Sequence, residues 1–158
     1  METITSEFGR YLEDFRPNTM IKHWPGKTIT ESDNNLFSLL TMNHHPVHLD
    51  QNYAQSSQHG KVLVVGTLVF SLTVGLTVRD ISGRAIANLN YSEILHLNPV
   101  HIGDTIYAQT EVISVRESRS KADRGIVKVK TTAINQVKEP VLSFVREVLI
   151  SKKRNNEC

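Results

Sequence analysis

The chain has 158 residues and a mass of 17.8 kDa, the length of one ordinary domain, and folding should bury about two-thirds of its unfolded surface, enough for a core with a cleft. Apolar residues at 39% and charged residues at 22% exclude long disorder and collagen-like structure, and 18 basic residues balanced by 16 acidic ones, with no dense Lys/Arg stripe, argue against nucleic-acid binding. The one cysteine is Cys158, at the last position, so no internal disulfide can form, Cys-rich structural zinc is excluded, and a reducing cytoplasm is the expected compartment.

The opening METITSEFGRYLEDF lacks a basic region followed by an apolar block and does not read as a signal peptide. Residues 1–27 are polar with scattered aromatics (Phe8, Tyr11, Phe15, Trp24), and Pro17 and Pro25-Gly26 mark turns. They are expected to form an arm packed on a single domain over 28–151, with 152–158 a frayed tail. Thr30 and Asp33 stand at the spacing of a capping box, and Leu36, Leu39 and Leu40 recur at helical spacing, which predicts a helix from Glu31 to about Thr41. The stretch MNHHPVHLDQNYAQSSQHGK is too polar for core; Pro46 breaks any helix through it, and a short helix is expected near Asp50 to Ser56.

Val62 to Val78 is 17 residues without a charge, at the short edge of the roughly 17–25 residues a membrane span needs. Gly66, Thr67, Ser71, Thr73, Gly75 and Thr77 lie inside it, and a central element buried on most sides is the expectation instead. Leu68, Phe70, Leu72, Val74, Leu76 and Val78 alternate with smaller or polar residues, which favours a strand, whereas the length favours a helix. Beyond it the pattern turns to strands over Ala85 to Tyr91, Thr105 to Arg116, Ile126 to Ile134 and Val141 to Ile150. Ile106, Ala108, Thr110 and Val112 share one face, and Lys128 and Lys130 point away from Val127, Val129 and Thr131. Helices early and long consecutive strands late imply an α+β fold with an antiparallel sheet.

The strongest local signal is Asn43-His44-His45-Pro46-Val47-His48-Leu49-Asp50. A metal reading needs converging imidazoles, but adjacent His44 and His45 point apart in extended chain and no later Glu or His has partner spacing. A polar loop with incidental histidines is the bland alternative. The third is general acid–base chemistry, for which an imidazole titrating near neutrality is suited.

The string TMNHHPVHLDQNYA resembles the hydratase motif of the MaoC-like dehydratases, the (R)-specific enoyl-CoA hydratase group of the hot-dog fold: Asp, two residues, Pro, one residue, His, one residue, Asp. Gly60-Lys61-Val62 and Val65-Gly66-Thr67 sit where the family has a loop and the start of its buried helix, and Asn98-Pro99-Val100 with Gly103-Asp104-Thr105 matches its turn into a strand. The similarity runs from about Tyr11 to Ile150 and implies a single hot-dog domain whose sheet wraps a central apolar helix over roughly Gly66 to Asp80. It depart in two places: the family's Asp falls on Asn43, and the His that commonly precedes its oxyanion Gly falls on Val65. With Asn at that place and LVVGTLVFSL after it, the chain is most similar to the branch acting on branched C5 dicarboxylyl-CoA thioesters, which includes mesaconyl-CoA hydratase (methylmalyl-CoA dehydratase) and itaconyl-CoA hydratase.

What the resemblance implies is an acyl-CoA hydratase or dehydratase needing no cofactor and no metal, with coenzyme A as part of the substrate. His48 would move the proton, Asn43 would orient the water, and the Gly66 N–H would meet the developing oxyanion at a helix N-terminus. Tyr53, His59, Val65 and Thr67 would lie at the substrate, and Arg116, Arg119, Lys121 and Arg124 would pair with CoA phosphates, although a charged hairpin loop also serves simply as solvated surface. A homodimer or higher homo-oligomer, with no nucleic acid and no membrane, completes the expectation. Two rivals use the same fold: a hot-dog thioesterase, disfavoured because the central helix has no acidic residue before Asp80, and a non-catalytic acyl-CoA-binding module, favoured by the loss of Asp at Asn43.

Overall fold

The computed structural model describes residues 7–153, so Cys158 and most of the expected tail lie outside it. In chain order the elements are a turn of 3-10 helix at Leu12–Asp14, β1 (Thr19–Lys22), β2 (Lys27–Thr28), α1 (Glu31–Thr41), α2 (Pro46–Leu49), α3 (Gln51–Ser56), α4 (Gly66–Thr77), a turn of π-helix at Val78–Ser82, β3 (Ala85–His96), β4 (Thr105–Glu117), β5 (Arg124–Ile134) and β6 (Pro140–Ser151). The sheet is antiparallel in the order β1-β4-β5-β6-β3, with β2 also on β4. The predicted α+β class and single sheet with a helix hold. Among the described residues no helix is long and apolar enough to cross a membrane.

Strands β4 and β5 follow from alternation: Ile106, Ala108, Thr110 and Val112 are buried while their neighbours are not, and Val127, Val129, Thr131 and Ala133 repeat the pattern on β5, whereas central β6 is buried continuously from Val141 to Arg146. α1 spans the predicted residues. Its capping box is real: the Asp33 N–H donates to Thr30 Oγ1 at 3.2 Å, and the Thr30 N–H donates to Asp33 Oδ2 at 2.8 Å. Lys27 and both Thr30 donors hold the Asp33 carboxyl at about 2.

The ambiguous apolar segment is a helix, as the family resemblance implies and its own alternation does not. Buried Val65, Val69, Thr73 and Thr77 recur every four residues and form the stripe facing the sheet. Two of these are polar, which hid the stripe from a hydrophobic count. Their hydroxyls donate back to the Val69 and Val74 carbonyls at 2.7 Å, so each enters the core with its hydrogen bond made. The α-helix stops at Thr77, short of the predicted Asp80, where a π turn takes over.

Two apolar clusters lie beneath α4. One gathers Ile29, Val64, Val65, Leu68, Val100 and Phe144 at its N-terminal end; the other holds Leu12, Phe15, Ile81, Val112, Val127 and Val148. Buried Thr110 and Thr131 pair across β4 and β5, and buried Arg146 on β6 donates to Thr77 of α4 at 2.8 Å. The N-terminal arm does more than cover the domain. Leu12 and Phe15 fill the second cluster, β1 extends the sheet along β4, and His23, fully buried at its side chain, bonds Asp80 at 2.8 Å and Thr110 at 2.7 Å.

β3 is longer than the predicted Ala85 to Tyr91. Its pairing with β6 skips a residue between Ser92 and Leu95, and Glu93 there has φ 50°, a bulge that adds one residue to this strand.

Candidate active site

The histidine-rich loop is organised by Pro46, which opens α2 at a position where a missing N–H costs nothing. His45 caps that turn, its Nδ1 accepting the Val47 N–H at 3.2 Å. One turn on, His48 Nδ1 lies 2.7 Å from the Leu63 carbonyl oxygen. A carbonyl only accepts, so Nδ1 carries the hydrogen and the neutral ring presents Nε2 as an open lone pair. The Leu63 N–H answers by donating to the Val47 carbonyl at 3.1 Å, which clamps α2 to the strand-like segment 62–65.

Asn34 completes the clamp. It is fully buried on α1; its Nδ2 donates to the His48 carbonyl at 2.9 Å and its Oδ1 accepts the Val65 N–H at 3.0 Å. One carboxamide therefore ties the His48 turn to the N-terminus of α4. Val65 is the N-cap there and has no polar side-chain atom to offer, and among the described residues the Gly66 and Thr67 N–H groups have no partner. Free N–H groups and the positive end of the helix dipole favour an oxyanion at this point.

The predicted residues divide as follows. His48 lines a cleft of about 300 Å³ with Glu31, Asn35, Lys61 and His101, whose Nδ1 is bonded to the Val62 carbonyl at 2.9 Å. Gly66 and His59 line a different cleft of about 330 Å³, walled by Leu63, Val69, Leu97 and Val141. Segment 62–65 runs between the two. Asn43 Oδ1 accepts the His45 N–H at 3.4 Å and is a loop contact, not a partner of His48. Tyr53 is half-exposed with its ring 6.1 Å from that of His45. Val65 is a core side chain, and Thr67 is exposed on the first turn of α4.

The basic hairpin is not brought to this end of the molecule. From Ile106, in the cluster beneath the α4 N-terminus, to Glu117 is eleven residues of β4, about 36 Å at the rise of a strand. Arg124 is already paired with Asp123 at 2.7 and 3.0 Å, and Arg116, Arg119 and Lys121 are exposed.

Sequence reasoning missed Asn34 and His96. A Cβ on Gly66 would meet His96 Cε1 at 2.7 Å, so the ring of His96 rests against the glycine. A side chain at position 66 would have to displace the His96 ring. Among the described residues no three His, Cys, Asp or Glu side chains converge as a metal site.

The model of the MaoC like domain matches residues 14–135, most of the chain. The chain belongs to the MaoC-like domain family. This MaoC-like chain is 36% identical to the mesaconyl-CoA hydratase of Cereibacter sphaeroides over 92% of its own length and 42% of that protein's. Among solved structures it matches a MaoC domain protein of Chloroflexus aurantiacus with a TM-score of 0.91 at 33% identity, covering 99% of this chain and 44% of that one. A Mycobacterium tuberculosis protein with a double hot-dog fold superposes with a TM-score of 0.85 at 21% identity, over 95% of this chain and 46% of that one, a likeness of fold alone. The MaoC-like chain thus spans less than half the length of each of these relatives.

Proposed function

We propose that the protein is an enoyl-CoA hydratase, a hydro-lyase that adds water to or removes it from the C2=C3 bond of an acyl-CoA thioester, and that its acyl group is a short branched dicarboxylyl unit such as mesaconyl. The observation that carries this reading is the fixed tautomer of His48, an imidazole with Nε2 open, clamped through Asn34 to a helix N-terminus with free N–H groups. The similarity to a mesaconyl-CoA hydratase supports the acyl class.

In hydration, His48 Nε2 takes a proton from water as the water oxygen bonds to C3. The C2=C3 electrons move toward the thioester, whose oxygen gains charge and is met by the Gly66 N–H. The imidazolium then returns its proton to C2, so no cofactor is consumed and CoA stays on the acyl group throughout. Asn43 keeps its Nδ2 donors for the water or the substrate, since its Oδ1 is engaged by the loop.

His48 and Gly66 open onto different clefts of one chain. The reading therefore includes a second copy, paired along the exposed strand β3, that completes the wall joining them. The test is loss of enoyl absorbance with crotonyl-, mesaconyl- and itaconyl-CoA. Wild type should turn over at least one, and His48→Ala should lower kcat by about 10²–10⁴-fold, the range of general acid–base catalysis. Binding without turnover would favour the non-catalytic module, which the loop contact of Asn43 also fits. Release of free thiol would favour the thioesterase.

A further inference from the structure

The cleft beside Gly66 holds two imidazoles that the mechanism above leaves unused. Its walls are apolar, and no Asp or Glu lines it; the polar side chains are His59, His96 and Asn98. Asn98 donates its amide to the Pro140 carbonyl at 2.7 Å. His96 has no hydrogen-bond partner for its ring among the described residues, and His59 has only a 3.5 Å contact with Gln58.

His96 reaches this place by a specific device. Tyr91 pairs with Arg146 and faces α4, where its ring meets Phe70 at 5.2 Å. His96 lies five residues further on and would point to the opposite face of an unbroken strand. The bulge at Glu93 adds one residue, so His96 pairs with Leu142, in step with Arg146, and turns its ring onto Gly66. Bulges re-aim side chains in this way beside active sites.

We infer that this cleft is the acyl pocket and that the ring N–H groups of His59 and His96 bind a second carboxylate on a short acyl group. The inference rests on the hydratase reading and gives it a specificity element. A thioester oxygen at the Gly66 N–H places the acyl carbons directly under the His96 ring. The first and last carbons of an extended four-carbon diacid are about 4 Å apart at roughly 1.5 Å per bond, which keeps the distal carboxylate within the cleft. Imidazole donors with no competing carboxylate in the cleft favour an anionic group, which accepts charge-assisted hydrogen bonds, over a methyl, which accepts none.

The experiment compares mesaconyl-CoA with crotonyl-CoA, which lacks the second carboxylate, in wild type, His96→Phe and His59→Phe. Phenylalanine keeps a ring and removes the donors. The ratio of kcat/KM for mesaconyl-CoA over crotonyl-CoA should fall at least tenfold in each variant, and His96→Gln, which restores a donor, should recover part of it. The same comparison by calorimetric titration reads affinity alone: wild type should prefer mesaconyl-CoA and the Phe variants should lose that preference. An unchanged ratio in kinetics and titration overturns the inference, as does an equal loss on both substrates. Wild type that binds mesaconyl-CoA selectively yet hydrates nothing overturns the hydratase reading and leaves the carboxylate site standing.

Discussion

At the scale of single residues, the chemistry of His48 is set by a backbone carbonyl and its turn is held by an asparagine on the preceding helix. Asn34, itself fully buried, spends its donor on the half-buried His48 carbonyl and its acceptor on the buried Val65 N–H. Asn34→Ala should therefore destabilise the fold by about 1–3 kcal/mol, the cost of leaving buried polar groups unpaired, and lower kcat with it, because the His48 turn and the α4 N-terminus lose their common tie. Asn34→Asp keeps the size and removes the donor, so it separates the tie from packing. Urea unfolding and kcat measured on the same samples check both; wild-type values in either variant would remove Asn34 from the machinery. His48 was legible because Pro46 and Asp50 flank it at a recognisable spacing. Asn34 was not, since it is one of two adjacent asparagines in a polar first turn and only the fold buries it. His96 was hidden for another reason: the bulge at Glu93 broke the alternation by which a strand is read.

At the scale of elements, the arm and the end of α4 are joined through one buried histidine. His23 donates from Nδ1 to Asp80 on the π turn, and its Nε2 meets Thr110 on β4, which in turn bonds Thr131 at 2.9 Å. Burial pushes the His23 imidazole below its usual 6.5; Asp80 pulls it back, and Arg146 and Arg10 add to the lowering. With the folded value below the unfolded one, the unfolded chain binds more protons as soon as the pH drops under about 6.5. The stability His23 contributes is complete above that pH and is lost as the pH falls from there through the folded value. The melting temperature should thus decline between pH 7 and pH 5, and His23→Gln should show a shallower decline over that window in calorimetry. An identical pH slope in the variant would contradict it. None of this was readable in advance: the arm was expected from its turns and aromatics, but a histidine between Lys22 and Trp24 carries no sign of its partner 57 residues on.

At the scale of the whole molecule, β3 is an uncovered edge at one end of the sheet. Ile86, Leu89, Tyr91, Ile94, Leu95 and Leu97 are all exposed along it and its C-terminal end, an apolar edge that soluble proteins cover or blunt. Leu36, Leu39 and Leu40 on α1 add to the exposed apolar surface. The bulges in β3 interrupt the edge and disfavour open-ended stacking, while antiparallel pairing of β3 with a second β3 is a closed, two-fold contact that uses the same surface on both copies. The second copy proposed above would cover this edge. Light scattering should give twice the 17.8 kDa of the chain. Leu89→Lys with Leu95→Lys puts two charges on each edge, four across the paired strands, where burial without partners is costly. The double variant should run as a folded monomer with unchanged far-ultraviolet circular dichroism and should lose turnover, because His96 sits at the end of this strand and the cleft beside Gly66 would lose its cover. A wild-type monomer with full activity would show that one chain closes the site alone, and a monomeric double variant that keeps its rate would separate assembly from catalysis.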